Sequence, residues 1–417
     1  MDLTFVKIVI NYAAWYIFLF IAIMWLLVLI RYGEEFKRTN IKRSKKLPSV
    51  SILVPAHNEE QYIEMCLKSL LNINYPKHLF EIIVIDDAST DKTSEIVKKF
   101  KKVKLLRNKT NKGKAYSLNK AIKIAKGEII ACIDADSIVE KDILMKMVGY
   151  FEDKKVASVT PALKVFKPRN WLEKIQATEY LLNIFLRKSL DLIDSIHVTP
   201  GVFSLYRKSV LEEVGGFDEN NLTEDMEIAL KIQSAGYRIT NCLDAVSYTI
   251  CPSDFRSLLK QRIRWYRGAL QNTVKYKHML FKPTYGNLGV FFLPFNLISI
   301  IAVILLFSII ISDFLQEAWR FIWHFNLIDW NFTVFLKNLE INFESLIFEL
   351  TSSQIVFTIL GLTFASYLLL KSFSVTREKF SLNKIGYFSY LLIYPLIMMA
   401  FWFIAMFLEI FKVKSKW

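Results

Sequence analysis

The chain has 417 residues, 53% of them hydrophobic and 22% charged, and its 54 Lys and Arg against 39 Asp and Glu leave a formal net charge of +15. Such apolarity combined with such basicity speaks against a plain soluble enzyme. No recognised nucleic-acid motif accompanies the basic excess, so nucleic acid is not an expected partner, whereas Lys and Arg beside a bilayer meet anionic headgroups. Cys66, Cys132, Cys242 and Cys251 show no CxxC pairing or metal-ligand spacing, as suits free thiols in a reducing cytosol.

In chain order, the first element is "IVINYAAWYIFLFIAIMWLLVLI", which runs from Ile8 to Ile30 without a charge. It is long enough to cross a hydrocarbon core about 30 Å thick. It is too long for the core of a signal peptide and has no small-residue cleavage site, so it is expected to be retained. Arg31, Lys37, Arg38, Lys42, Arg43, Lys45 and Lys46 follow and should stay cytoplasmic, keeping the next domain cytosolic.

That domain opens with short β-branched runs alternating with helical spacing. "VSILVP" (50–55), "EIIVID" (81–86), "VKLL" (103–106) and "EIIACID" (128–134) read as buried strands. The intervening stretches 59–72, 90–102 and 113–126 read as helices, with Gly127 as a C-cap of the third. The alternation predicts an α/β domain with a mostly parallel sheet, whose ligands bind beyond the carboxyl ends of the strands.

Three of those strands end in polar clusters, "PAHNEE", "DDASTD" and "DADS". Asp86, Asp87, Asp134 and Asp136 are thus expected at one sheet edge, where a hard divalent cation would compensate them. A lone DxD can equally cap the following helix. Lys112 and Lys114 flank Gly113 at the start of the third helix, where N–H groups and the dipole favour an anion; an ordinary basic turn is the alternative. In "LTEDMEIALKIQSAG", Thr223 looks like an N-cap, Glu224 and Asp225 occupy the first helical turn and Gly236 closes the helix.

Two amphipathic stretches, 169–188 and 253–280, could lie on the membrane surface, pack on the sheet, or do each with a different face. The second contains "KQRIRWYRGALQ", in which Arg262 and Arg264 are two apart and do not share a helical face. Further apolar windows near 287–311, 354–370 and 386–410 make four spans, which would leave the basic tail "KVKSKW" outside, against the positive-inside rule. An extra membrane segment within 315–350 would remove the conflict. The divisions expected are 1–47, a span and basic linker; 48–252, the α/β domain; 253–285, an interface helix; and 286–417, the membrane region.

The ordered set "PAHNEE", "DDASTD", "NKGKA", "DADS", "TPGVFSLYRKSVLEEVGGFDENNLTED" and "QRIRW", followed by spans, resembles the family 2 glycosyltransferases of GT-A fold. It is most similar to the processive, membrane-embedded polysaccharide synthases, nearest the poly-N-acetylglucosamine branch and related to the hyaluronan and cellulose synthases. The resemblance implies a UDP-sugar donor held by Pro55, His57, Glu59, Asp87, Lys114, Asp134, Gln261, Arg262 and Arg264, with Mg²⁺ or Mn²⁺ on Asp136 and Asp134. It implies Asp225 as general base, with Glu224 beside it, and Gly201 and Trp265 at the acceptor site. The expected enzyme is a multi-pass cell-membrane protein that inverts the anomeric centre and elongates a β-linked glycan, with UDP-GlcNAc the favoured donor. Four spans are few to surround a glycan, so an accessory subunit or a homo-oligomer would complete the path. Transfer of one sugar to a lipid acceptor is the alternative activity, and a catalytically silent scaffold the alternative class.

Overall fold

A computed structural model of the chain describes residues 3–36, 46–337 and 352–413. Most of the basic linker, part of the suggested extra segment at 315–350 and the last four residues lie outside the described residues. Helix α1 (Leu3–Tyr32) precedes an α/β domain of strands β1 (Val50–Ala56), β2 (Phe80–Asp86), β3 (Val103–Arg107), β4 (Ile129–Ile133), β5 (Ser137–Val139), β6 (Val156–Val165), β7 (Val202–Arg207) and β8 (Arg238–Thr249). Its helices are α2 (Ile63–Leu71), α3 (Thr93–Lys98), α4 (Lys114–Ile122), α5 (Ile143–Met147), α6 (Trp171–Leu192), α7 (Lys208–Glu213), α8 (Glu224–Ser234) and α9 (Phe255–Lys275). After them come α10 (Leu293–Leu327), α11 (Phe332–Lys337), α12 (Ser352–Val375), α13 (Lys384–Leu392) and α14 (Tyr394–Ile410).

One eight-stranded sheet has the order β3-β2-β1-β4-β7-β6-β8-β5. The first four strands are parallel; β7 joins β4 antiparallel, and β6 and β8 pair in parallel. Alternation within β1, β2 and β4 sends Ile52, Val84 and Ala131 to one core, and Leu53, Ile83 and Ile130 to the other. Burial on both faces explains why these strands read as unbroken apolar runs. Pro55 lies inside β1 opposite Ile85, beyond Leu53, where pairing with β4 ends, so its missing N–H breaks no ladder bond.

The first two helices start later than their periodicity predicts because the loops before them fold on one another. Glu59 N–H donates to Thr93 Oγ1 (2.8 Å), Glu60 N–H to Asp91 (3.0 Å), and Thr90 N–H to Asn58 Oδ1 (2.8 Å). Gly127 is no C-cap. The third helix ends at Ile122, and a Cβ at Gly127 would stand 2.4 Å from Ser51 N, so glycine is needed for close approach to β1.

Helix α6 uses two faces, one on the sheet and one on the apolar helices. Tyr180 packs with Leu163 and Val202 of the sheet, while Phe185 packs with Leu29 and Phe36 at the end of α1. Among the described residues three helices are long and apolar enough to cross a membrane, Ile8–Tyr32, Leu288–Leu327 and Ile355–Val375. The fourth expected span is a pair, α13 and α14, bent by 53°. Helix α14 is tied to α9 near both its ends: Arg262 Nε donates to Tyr394 Oη (3.3 Å), and Arg267 pairs with Glu409 (2.9 Å).

Candidate active site

The ends of β2 and β4 and the start of α8 meet around Lys114, the first residue of α4. Its ammonium stands 2.6 Å from Asp134 Oδ1 and 2.8 Å from Glu224 Oε1, joining the β4 edge to the α8 N-terminus. Burial works against that charge, but Asp134 and Glu224 hold the Lys114 pKa well above the ordinary range. Gly201 makes the arrangement fit: a Cβ there would lie 2.5 Å from Lys114 Nζ and 2.9 Å from Asp134 Oδ2. Just beyond, β7 bulges at the buried Phe203 (φ 68°), so that Cys132 pairs with Ser204 and Ile133 with Val202. A bulge of this kind re-aims the chain beside a site, at the cost of a strained backbone. Nothing in "GVFS" announced it.

The two carboxylates of α8 are set apart by their surroundings. Burial pushes the Glu224 carboxyl up, but Lys114 outweighs it and the net pKa is lowered. Asp225 is raised to about 6, by burial first and then by the Glu224 charge. Of these two neighbouring groups, pushed in opposite directions, Asp225 is the one that changes charge nearer neutrality. Thr223 stands at the N-cap position, but its hydroxyl caps nothing; it accepts Asn272 Nδ2 (3.0 Å) of α9. Gly268 of α9 touches the same residue, since a Cβ there would come 2.2 Å from Thr223 Oγ1.

Asp86 and Asp87 do not join a carboxylate cluster. Asp86 accepts Ser89 N–H (2.8 Å) and the Ser94 hydroxyl, with Arg107 Nε at 3.3 Å. Asp87 accepts the N–H groups of Lys112 (3.1 Å) and Gly113 (2.7 Å) and the Asn108 amide (2.7 Å). The anion at the start of α4 is therefore the protein's own carboxylate, which corrects both the expected anion cradle there and the expected outward contact from Asp87. His57 is exposed, its Nδ1 2.8 Å from the Asp87 carbonyl oxygen.

Asp134, Asp136 and Glu59 remain as the acidic edge. Burial and the Asp134 charge raise Asp136 to about 6; burial, Asp136, Asp134 and Asp91 raise Glu59 to about 7. Negative charge that Lys114 compensates only in part fits a divalent cation, and Asp134 and Asp136 offer the hard oxygen donors. Among the described residues no group of three or more His, Cys, Asp or Glu stands ready to hold a metal, so the donor's phosphates and water would complete the shell.

Arg262 is corrected as a donor contact. It is fully buried, paired with Glu179 (2.5 Å), with its guanidinium 4.1 Å from the Trp265 ring centroid and Nη1 donating to Gln261 (3.1 Å). Arg264 lies on the other side of α9, close enough to lower the Glu224 pKa. Trp265 has Arg262 over its ring and packs, partly buried, against apolar neighbours that include Tyr180 and Val202.

This fold and site define a nucleotide-sugar transferase of the GT-A class. Residues 51–215 match Glycosyl transferase family 2, and the α/β domain is a glycosyltransferase domain of that family. A mannosyltransferase from Pyrobaculum calidifontis, solved with GDP-Man and Mn²⁺, superimposes with a TM-score of 0.59 at 19% identity, covering 96% of this chain and 100% of that one. Among curated proteins, the poly-beta-1,6-N-acetyl-D-glucosamine synthase of Staphylococcus epidermidis is 33% identical over 261 residues, covering 60% of this chain and 63% of that protein. The synthase of the same name from Staphylococcus aureus (strain COL) is 34% identical over 228 residues, covering 54% and 55%. The matches thus span less than two thirds of either relative.

Proposed function

We propose that the protein elongates a β-linked polysaccharide from a UDP-sugar, UDP-GlcNAc above others, at the cytosolic face of a membrane. The observation that carries this reading is the Lys114 bridge, which sets a lowered Glu224 beside an Asp225 raised to about 6 at the edge bearing Asp134 and Asp136. The similarity to two named synthases supports the choice of sugar. The acceptor hydroxyl oxygen attacks the anomeric carbon as the bond to UDP breaks, and Asp225 takes the hydroxyl proton. Attack opposite the leaving group inverts the centre, and UDP departs without need of a second carboxylate nucleophile. Asp136 with Asp134 would hold Mg²⁺ or Mn²⁺, which supplies positive charge for the leaving diphosphate. Arg264 adds to that charge; His57, Glu59 and Gln261 orient the donor, and Trp265 contacts the accepting sugar.

The same reading includes topology. The hold of α9 on α14 near both its ends supports a reading in which the bent pair returns to the side of the α/β domain, with three crossings and a cytosolic basic tail. That resolves the conflict with the positive-inside rule. A cysteine placed at Lys412 should react with an impermeant thiol reagent only after permeabilisation; labelling of intact cells would refute this topology.

Reconstituted protein given labelled UDP-GlcNAc or UDP-Glc with Mg²⁺ or Mn²⁺ tests the function. High-molecular-weight product is expected with UDP-GlcNAc. A lipid bearing one sugar would overturn elongation.

A further inference from the structure

Two polar atoms next to the α8 N-terminus have nothing to bond. Arg187 Nη1, near the end of α6, and His197 Nδ1, in the segment leading to β7, are shut off from solvent and have no hydrogen-bond partner among the described residues. That segment is fastened to the proposed base. Thr199, two residues past His197, donates its backbone N–H (3.1 Å) and its hydroxyl (2.9 Å) to the Asp225 carbonyl. From the membrane side the His197 ring stacks on Phe292, centroids 4.4 Å apart, just before α10 begins.

Buried polar atoms are rarely left unmatched in a folded protein, and the hydroxyl and carbonyl groups of a ligand are what would match these. The chemistry of that ligand follows from charge. Burial lowers Arg187 to about 10 against the pull of the Asp225 carboxylate; burial, with Arg187, lowers His197 to about 4, so the imidazole is neutral near pH 7. Asp225 supplies part of the guanidinium's counter-charge, and the neutral ring needs none. A neutral, oxygen-rich group therefore suits the pair better than a phosphate. The donor's diphosphate belongs with Asp134, Asp136 and Lys114, which leaves the Arg187 side of Asp225 to the accepting molecule.

We propose that Arg187 and His197 form an acceptor subsite that hydrogen-bonds hydroxyl or amide-carbonyl oxygens of the accepting sugar and turns its attacking hydroxyl toward Asp225. The proposal rests on the sugar-transfer reading above. Titration of the full-length protein in lipid nanodiscs with a β-linked N-acetylglucosamine oligosaccharide, in the presence of UDP, tests it. Arg187→Met keeps length and removes the donors; His197→Phe keeps the stack on Phe292 and removes the nitrogens. Each should raise the oligosaccharide Kd about tenfold or more, the worth of one hydrogen bond to a charged or buried group, with the UDP Kd changed less than twofold. Oligosaccharide affinity within twofold of wild type in both variants overturns the proposal, as does a wild type that binds UDP but no oligosaccharide. Loss of UDP binding in both variants would make the pair structural and overturn it too. Selective loss of affinity for vesicles carrying a polyprenyl phosphate would overturn the sugar assignment in favour of an anionic headgroup. A wild type that binds the oligosaccharide yet transfers no sugar to it would sink the functional reading and leave the subsite standing.

Discussion

Gly201→Ala separates fold from function at one atom. The added Cβ would meet Lys114 Nζ at 2.5 Å and the Asp134 carboxylate oxygens at 2.9 and 3.0 Å, all inside van der Waals distance. Both obstacles are ends of flexible side chains, so they can retreat by roughly 1 Å while the backbone stays, and unfolding free energy should change by less than about 1 kcal/mol. The retreat, however, moves the ammonium that spans Asp134 and Glu224. Misplacing a reacting constellation by about 1 Å costs on the order of 10²-fold in rate, about 2.7 kcal/mol of transition-state stabilisation. The assay pairs thermal unfolding with kcat/KM for UDP-GlcNAc in reconstituted membranes. A variant with unchanged Tm and kcat/KM within threefold of wild type would refute the claim that Gly201 exists to admit this ion pair, and a Tm lowered by more than about 10 °C would show that backbone, not side chains, absorbs the clash.

Other consequences are equally direct. Asp225→Asn should keep UDP affinity and lower kcat by about 10²- to 10⁴-fold, the range of one general base. In wild type, Asp225 must be ionised to accept a proton, so with its pKa raised to about 6 turnover should climb as pH passes 6 and fade below it; a rate flat from pH 5 to 8 would contradict the assignment. Arg262→Met leaves Glu179 buried without its cation and should destabilise by about 3–5 kcal/mol, while the double change Arg262→Met with Glu179→Leu should recover much of that loss. Arg264→Met should instead spare stability and weaken UDP-sugar binding, and equal Tm losses at 262 and 264 would undo the division between them. Gly268→Ala should lower activity through Thr223, read as a fall in kcat at near-constant KM for the donor.

Much of the fold was legible in the residues. The apolar runs at β1, β2 and β4 announce strands buried on both faces, and the charge-free Ile8–Ile30 announces a helix long and apolar enough to cross a membrane. The acidic strand ends and the "TED" turn were legible as candidates. What periodicity could not convey is direction. It could not tell that Asp87 turns inward to amides while Asp136 stays outward, since both follow a strand with a DxD-like pattern. Spacing along α9 did foretell that Arg262 and Arg264 face different ways, but which of them is buried depends on Glu179, 83 residues away in sequence. Arg187 and His197 carry no motif, and only their unmet hydrogen bonds reveal them. The bend before α14 escaped because a window of hydropathy counts apolar residues without regard to where the chain turns.

The carboxylate of Asp87, seated on the amides of Lys112 and Gly113, matters to anyone who would redesign this protein's choice of donor. A glycine-flanked basic turn invites grafting as a ready-made phosphate loop, but here the seat is taken by an internal tenant. Swapping the loop side chains would leave the Asp87 carboxylate on those backbone amides. Emptying the seat with Asp87→Ala, by contrast, would create a small anion-shaped vacancy that formate or acetate could fill, turning a structural contact into a site for chemical rescue.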